Sequence, residues 1–372
     1  MKILILNWRD VVNPKSGGAE ILTHEMAKRW VQLGHEVTQF SSAFKNAKDE
    51  ETIDGVRIVR RGHPDARYLF FSVQFLAFWY YQKKFKGKFD VVLDEVHGLP
   101  FFTPWYVKEK KVLLICEVAG TLWTEMFGPI FGFVGRIVEK FYLRFIYKNT
   151  FYLTISDSTK KELISEGVDS KLITVLPMGL TIPNNIKLYK KENIPTLISV
   201  GRLSKPKGVG DAIIAVNEIR KKIPTIRLWI VGRGDENYSN HLKDLVKKYR
   251  LENQVVFWGF VSDIKKFELI SRAHILFSPS VKEGWGLTVP EAAYVGTPSI
   301  VYASPGLIDV LRGSDFKIIV KSNTPKELAE EAVKLLNDKT LYKKLEKQVS
   351  FIRKQFNWQK TADVALRVLE KS

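Results

Sequence analysis

Cysteine is almost absent. Cys116 is the single one among 372 residues, so no disulfide can form within the chain, which fits a reducing compartment. Long apolar runs are also missing. The longest uncharged one, Tyr68 to Gln82, falls short of the ~20 residues a membrane span needs and reads as a buried or interfacial helix. The start, Met1 to Trp8, lacks the apolar core and small-residue cleavage site of a signal peptide and reads as a first strand. Six histidines with no H-E-x-x-H pattern give no metal site, and neither a G-x-S-x-G elbow nor a Walker loop is found. There is no fixed repeat period and no low-complexity tract. Acidic residues are in deficit, 40 against 58 basic ones, for a net charge of +18. One bound diphosphate would engage only a few of those cations. The rest are solvated helix faces or attract an anionic surface. Nucleic acid is disfavoured, because no recognisable module carries aromatic stacking platforms.

What is present is alternation. Short apolar runs near 2–7, 36–41, 56–60, 90–94, 111–116, 151–155 and 172–175 are separated by helical patterns such as 18–33 and 157–166. After a Pro- and Asn-containing break from Pro177 to Pro195, the alternation restarts near 196–200, 226–231, 254–258, 274–278, 298–302 and 317–320. Such βα units build parallel sheets. The expectation is an α/β chain of two doubly wound, Rossmann-like domains facing a cleft. The first covers 1–178, joined by a C-terminal helix, 353–372, that crosses back, and the second covers 193–352. Ligands in such sheets sit at the carboxyl ends of the strands.

Several glycine turns follow strands there. Gly17-Gly18 opens a helix, where backbone N–H groups and the helix dipole suit a phosphate, although a plain turn explains it equally well. Gly201-Arg202, with Lys207 and Gly208 beyond, offers a bidentate guanidinium and a point charge; the competing reading is a solvated basic loop. Gly232-Arg233-Gly234 begins like a dinucleotide fingerprint but has Asn237 at the third glycine position, so it reads as a tight turn. The richest stretch is Glu283-Gly284-Trp285-Gly286-Leu287-Thr288-Val289-Pro290-Glu291. Two carboxylates able to accept hydroxyl hydrogen bonds flank a turn able to present N–H groups to an anion. That combination suits a nucleotide sugar. Thr288 and Glu291 also fit a capping box, with Thr288 as N-cap.

With Ser278-Pro279-Ser280 before this run and Gly296-Thr297-Pro298 after it, the segment resembles the signature of family 4 glycosyltransferases, enzymes of GT-B fold that retain anomeric configuration. The resemblance implies the following roles. Arg202 and Lys207 hold the donor diphosphate, beside Gly201 and Gly234, and Glu291 binds the ribose. Glu283 contacts the donor sugar, near the N–H groups of Gly284, Trp285, Gly286 and Leu287. Gly17 and Gly18 approach the phosphate from the other domain, and Gly259-Phe260-Val261 lies against the base. It departs from the family at Cys116, where many members have a histidine that contacts the sugar. His97, ending a neighbouring strand, could serve instead, or be a structural loop histidine.

The resemblance thus implies a retaining, hexosyl-type transferase that needs no cofactor and uses a nucleotide-sugar donor as substrate, and it is expected to be metal-independent because Arg202, Lys207 and helix N-termini would do the work of a metal. The acceptor would be a glycan, with a polyprenyl-linked one as an option, bound mainly to the first domain, and the donor would bind mainly to the second. A catalytically impaired nucleotide-sugar-binding protein and a nucleotide-sugar epimerase remain alternatives; a glycosidase does not need two phosphate turns. Two aromatic and basic segments, Tyr68–Gln82 running into Lys83–Lys88 and Met126–Tyr147 with Arg136, Lys140 and Arg144, suit either a core or an anionic membrane surface. The expected location is cytoplasmic, with a peripheral place on the inner face of the membrane as the second option.

Overall fold

The computed structural model describes residues 1–62, 69–312, 317–346 and 355–372, with the side chains of 69–72 and 126 outside that description. The chain divides into two compact units. One is Met1–Gly179 with Asn357–Ser372, and the other is Leu180–Phe356. Residues 353 and 354 of the expected crossing helix, Tyr68 of the first aromatic segment, and the end of the expected second domain lie outside the described residues.

The first unit is built on β1 (Lys2–Leu6), β2 (Glu36–Ser41), β3 (Glu50–Ile53), β4 (Val56–Arg60), β5 (Val91–Val96), β6 (Lys110–Ile115), β7 (Phe151–Thr154) and β8 (Ile173–Val175). Their order across the sheet is β3-β4-β2-β1-β5-β6-β7-β8. All pairings are parallel except β3 with β4. That antiparallel edge strand was not foreseen. Its residues, Glu50-Glu51-Thr52-Ile53, are too short and acidic to give an apolar pattern. β5 is buried along its whole length, as expected of a parallel strand covered on both faces. Helices α1 (Gly18–Gln32), α2 (Leu69–Tyr80), α3 (Leu122–Phe141) and α4 (Asp157–Ser165) connect the strands. The C-terminal helix, Trp358–Lys371, packs on α1, where Trp30 Nε1 donates to the Ala362 carbonyl at 3.0 Å.

The second unit carries β9 (Thr196–Val200), β10 (Arg227–Val231), β11 (Val255–Gly259), β12 (Ile275–Ser278), β13 (Ser299–Val301) and β14 (Lys317–Ile319), all parallel, in the order β11-β10-β9-β12-β13-β14. Helices α5 (Val209–Ile219), α6 (Glu236–Lys248), α7 (Asp263–Arg272) and α8 (Thr288–Tyr294) join them, and α9 (Pro325–Asn337) packs on α5.

Each sheet therefore has a point where the strand order reverses: between β1 and β5 in the first unit, and between β9 and β12 in the second. The chain leaves adjacent strands in opposite directions there, which opens a crevice at their carboxyl ends. The motifs of interest lie at these two points.

Candidate functional site

In the second unit, Gly201 follows the end of β9, and the turn that carries Glu283 follows β12. The loop after β9 tightens into a short 3-10 turn, Lys205–Lys207, and Gly208 then enters α5. This brings the Lys207 ammonium onto the Glu283 carboxylate as an ion pair of half-buried side chains. Arg202 is exposed, and its guanidinium has no hydrogen-bond partner among the described residues. Arg202, Lys207 and Glu283 thus share one end of the sheet, with the first free to meet an anion and the second held by a carboxylate.

Beneath the Glu283 turn sits Gly306. A Cβ there would stand 2.2 Å from the Glu283 carbonyl oxygen and 2.5 Å from that of Gly284, and its φ is +78°. The turn Gly284-Trp285-Gly286-Leu287 rests on this glycine, and Trp285 is anchored edge-on to Phe356 with ring centroids 5.5 Å apart. Gly306 was not singled out from sequence; only the fold shows what lies above it.

Glu291 departs from the capping box expected for it. Leu287, not Thr288, is the N-cap of α8, with helical φ/ψ and no side-chain cap. Thr288 is already inside the helix, so its hydroxyl cannot act as N-cap, and Pro290 occupies N3 in place of Glu291. Freed from that task, the buried Glu291 accepts from Lys266 Nζ of α7 at 2.8 Å through Oε1, while its Oε2 is buried with no partner among the described residues. Burial raises the Glu291 pKa, against the pull of Lys266. Burial lowers Lys266, but Glu291 and Asp263 outweigh it and raise its pKa. An unmet carboxylate oxygen at this depth costs free energy unless a donor reaches it. Lys266, far from Glu291 in sequence, gave no signal of its own.

Gly234 has a packing reason of its own. It pairs in a parallel bridge with Leu203, and a Cβ would stand 2.0 Å from the Leu203 carbonyl oxygen. Val261 follows β11 half-buried against the core, beside Phe260, whose exposed ring lies 4.8 Å from the Arg233 guanidinium.

In the first unit the loop after β1 carries Trp8 to Gly17. It is fixed by Asp10, which takes a bidentate pair from Arg60 of β4, Nε to Oδ2 at 2.6 Å and Nη2 to Oδ1 at 3.0 Å, with both side chains fully buried. Gly17 is the N-cap of α1, and its N–H donates to Glu20 Oε2 at 2.7 Å. The Gly17 N–H expected to face a phosphate is thus occupied, and what Gly17 offers is the absence of a side chain. Glu20 also accepts from Trp8 Nε1 at 3.0 Å.

Across the reversal point, β5 carries Glu95 near its end and His97 follows it. His97 Nε2 lies 3.0 Å from Glu95 Oε1, and its ring stacks on Trp8 at 4.8 Å. Asn7 and Thr23 fill Glu95 Oε2. Burial pushes Glu95 up, opposed by its contacts with His97 and Thr23. Burial alone would lower His97, but the Glu95 contact overrides it and raises the pKa. Cys116 follows β6. Burial, with Glu95, Glu117 and Glu20, holds it well above its ordinary pKa, so it faces its surroundings as a neutral thiol, a weak hydrogen-bonding group. Sequence reading named His97 and Cys116 but missed Glu95, which mimics an ordinary strand residue until its burial is seen. Among the described residues no group of three or more His, Cys, Asp or Glu is arranged to hold a metal.

Comparison with known proteins joins the two halves. Residues 16–182 match the model of Glycosyltransferase Family 4, and residues 183–353 match that of Glycosyl transferases group 1. This chain is a GT-B glycosyltransferase of the group 1, family 4 type. Among its relatives is an uncharacterized glycosyltransferase of Methanocaldococcus jannaschii, 27% identical over 81% of this chain and 79% of that one. Another is the phosphatidylinositol N-acetylglucosaminyltransferase gpi3 subunit of Schizosaccharomyces pombe, 25% identical over 81% of this chain and 66% of that one. The glycosyltransferase fold matches that of sucrose-phosphate synthase from Thermosynechococcus elongatus with a TM-score of 0.81 at 20% identity, over 100% of this chain and 98% of that one.

Proposed function

We propose that this glycosyltransferase takes a hexosyl-type unit from a nucleotide-diphosphate sugar and passes it to a glycan, with a lipid-linked glycan as the favoured acceptor. The donor would bind chiefly to the second unit. The observation that carries this is the unmet Glu291 Oε2, buried at the carboxyl end of the sheet with Lys207 and Arg202 near the same reversal point. A ribose hydroxyl is a donor of the right kind for that oxygen. Arg202 would clamp the diphosphate, and Lys207 would exchange its pairing with Glu283 for a phosphate oxygen. That exchange would free the Glu283 carboxylate for hydroxyls of the donor sugar. Charge building on the departing diphosphate would be met by Arg202 and Lys207, so catalysis would be largely positioning and electrostatics. These cations support a metal-independent transfer, and retention of configuration follows the family resemblance. Gly201, Gly234 and Val261 would shape the walls, and the N–H groups of Gly284, Trp285, Gly286 and Leu287 would line the sugar end. In the first unit, Gly17 and Gly18 would allow close approach of the phosphate. His97, oriented by Glu95 and Trp8, would supply the polar contact that the neutral Cys116 thiol lacks.

Calorimetry with uridine, guanosine and adenosine diphosphates tests the donor site. One of them should bind, and Arg202→Ala and Lys207→Ala should each weaken it at least about tenfold, the scale of a lost charge-assisted hydrogen bond. Unchanged affinity in both variants would remove the assignment. The inert Cys116 thiol motivates a second reading, a protein that binds nucleotide sugars without turning them over. Mass spectrometry of donor incubated with enzyme separates these: slow release of free sugar marks a transferase, an altered nucleotide sugar marks an epimerase, and an intact donor marks a binder.

A further inference from the structure

Helix α3 is bent double. Gly128 breaks it with φ +78° and ψ 176°, and Pro129 follows. The short N-terminal arm folds back on the long arm through two glycines. A Cβ on Gly132 would stand 2.3 Å from the Thr124 Cα, and one on Gly135 would stand 2.6 Å from the Trp123 ring. Close approach through small residues is how helices pack when side chains cannot intervene. The result is a helical hairpin with an outward apolar face. Phe127, Ile130, Phe131, Phe133, Val134 and Ile137 are all exposed, with Ile130 and Phe131 at 76% and 73%.

Isolated exposed apolar residues are ordinary, but six within eleven residues of one hairpin, from Phe127 to Ile137, are not. Charge shows what covers it. Arg136, Lys140, Arg144 and Lys148 are exposed along the same stretch, against the exposed Glu125 on the short arm; the other carboxylate of the helix, Glu139, is buried on the N–H groups of Ala119 and Gly120. One cation, Lys140, has a loose partner in Glu166 at 3.7 Å. Apolar side chains at the tip with basic residues behind them match the layering of an anionic bilayer surface, where hydrocarbon lies beneath phosphate headgroups. Among the described residues no helix is long and apolar enough to cross a membrane, so this would be a docking face and not a span.

We propose that the α3 hairpin seats the first unit on an anionic lipid surface. Its base reaches the candidate site. Trp123 Cη2 lies 3.2 Å from where a Cβ on Gly98 would stand, and Tyr142, just past the long arm, donates to the Gly98 carbonyl at 3.0 Å. Gly98 is the neighbour of His97. The hairpin therefore joins the proposed lipid surface to the strand end of the first unit that carries His97. Resting on the transferase reading, this gives the acceptor a lipid anchor held in the same surface.

Vesicle flotation tests the docking without using the transferase reaction. The full chain should float with phosphatidylcholine vesicles that contain phosphatidylglycerol, and at least about tenfold less with phosphatidylcholine alone or in high salt, because the attraction is screened. Ile130→Ser/Phe131→Ser/Phe133→Ser should lose flotation by a similar factor. Arg136→Gln/Lys140→Gln/Lys148→Gln should lose the preference for phosphatidylglycerol. Nucleoside diphosphate affinity should be unchanged in both, which shows that they fold and separates failure of the docking from failure of the donor site. No flotation by the unaltered chain overturns the proposal. So does self-association by sedimentation that the serine variant abolishes while flotation persists, since the face would then belong to a second copy of the chain.

Discussion

Lys266 Nζ meets Glu291 Oε1 at 2.8 Å and leaves Oε2 of the same buried carboxylate without a partner. The pair thus fixes the carboxylate and keeps one acceptor open. Glu291→Gln preserves shape but removes the charge. Nucleoside diphosphate affinity should fall about tenfold to a hundredfold, the range of a lost hydrogen bond to a charged group. Titration calorimetry reads it, with thermal melting alongside. A lower melting temperature with unchanged affinity would make the pair purely structural.

Gly306→Ala should damage the same site from below. The new methyl would meet the Glu283 and Gly284 carbonyl oxygens, and φ +78° disfavours any L side chain. The left-handed conformation alone costs ~1–2 kcal/mol, and the clash adds to it. Denaturant unfolding should show a loss of at least about 2 kcal/mol, with weaker nucleotide binding in the fraction that remains folded. An unchanged midpoint would mean that the turn above Gly306 is free to move.

The Glu95–His97 pair should leave a pH signature. Both groups have folded pKa values above their ordinary ones, 4.5 and 6.5. Between each group's ordinary value and its raised folded value the folded state therefore holds more protons than the unfolded chain, and the sign of linkage is a loss of stability with rising pH. For His97, the contribution is full below 6.5 and disappears as pH passes its folded value. Relative to Glu95→Gln/His97→Gln, the unaltered protein should lose melting temperature as pH rises above 4.5 for Glu95 and above 6.5 for His97. A difference that does not vary with pH would show that neither group titrates as described.

Much of the fold can be read directly from the sequence. Parallel strands appear as short, mostly apolar runs, and β9 lies where such a run places it. β3 was illegible because an exposed edge strand needs no apolar pattern, only a partner. Thr288-x-x-Glu291 has the spacing of a capping box, but Leu287 takes the N-cap position and Thr288 is already the first helical residue, a one-residue offset that spacing alone does not fix. Lys266 and Glu95 share a different limitation: their importance rests on burial and on contacts made across the fold, to which local spacing is blind. The glycine turns were legible as turns. The packing reason at Gly234, against the Leu203 carbonyl, required the neighbouring loop.

The buried Asp10–Arg60 pair has a consequence for how a ligand would be met at the Gly17 end. A loop of this length would ordinarily be ordered only on binding, and part of each ligand's affinity would be lost in stilling it. Here two parallel hydrogen bonds between buried groups of the protein itself tie that loop to β4. The entropy of ordering is met at folding, once, and every later binding event begins from a loop that is already still.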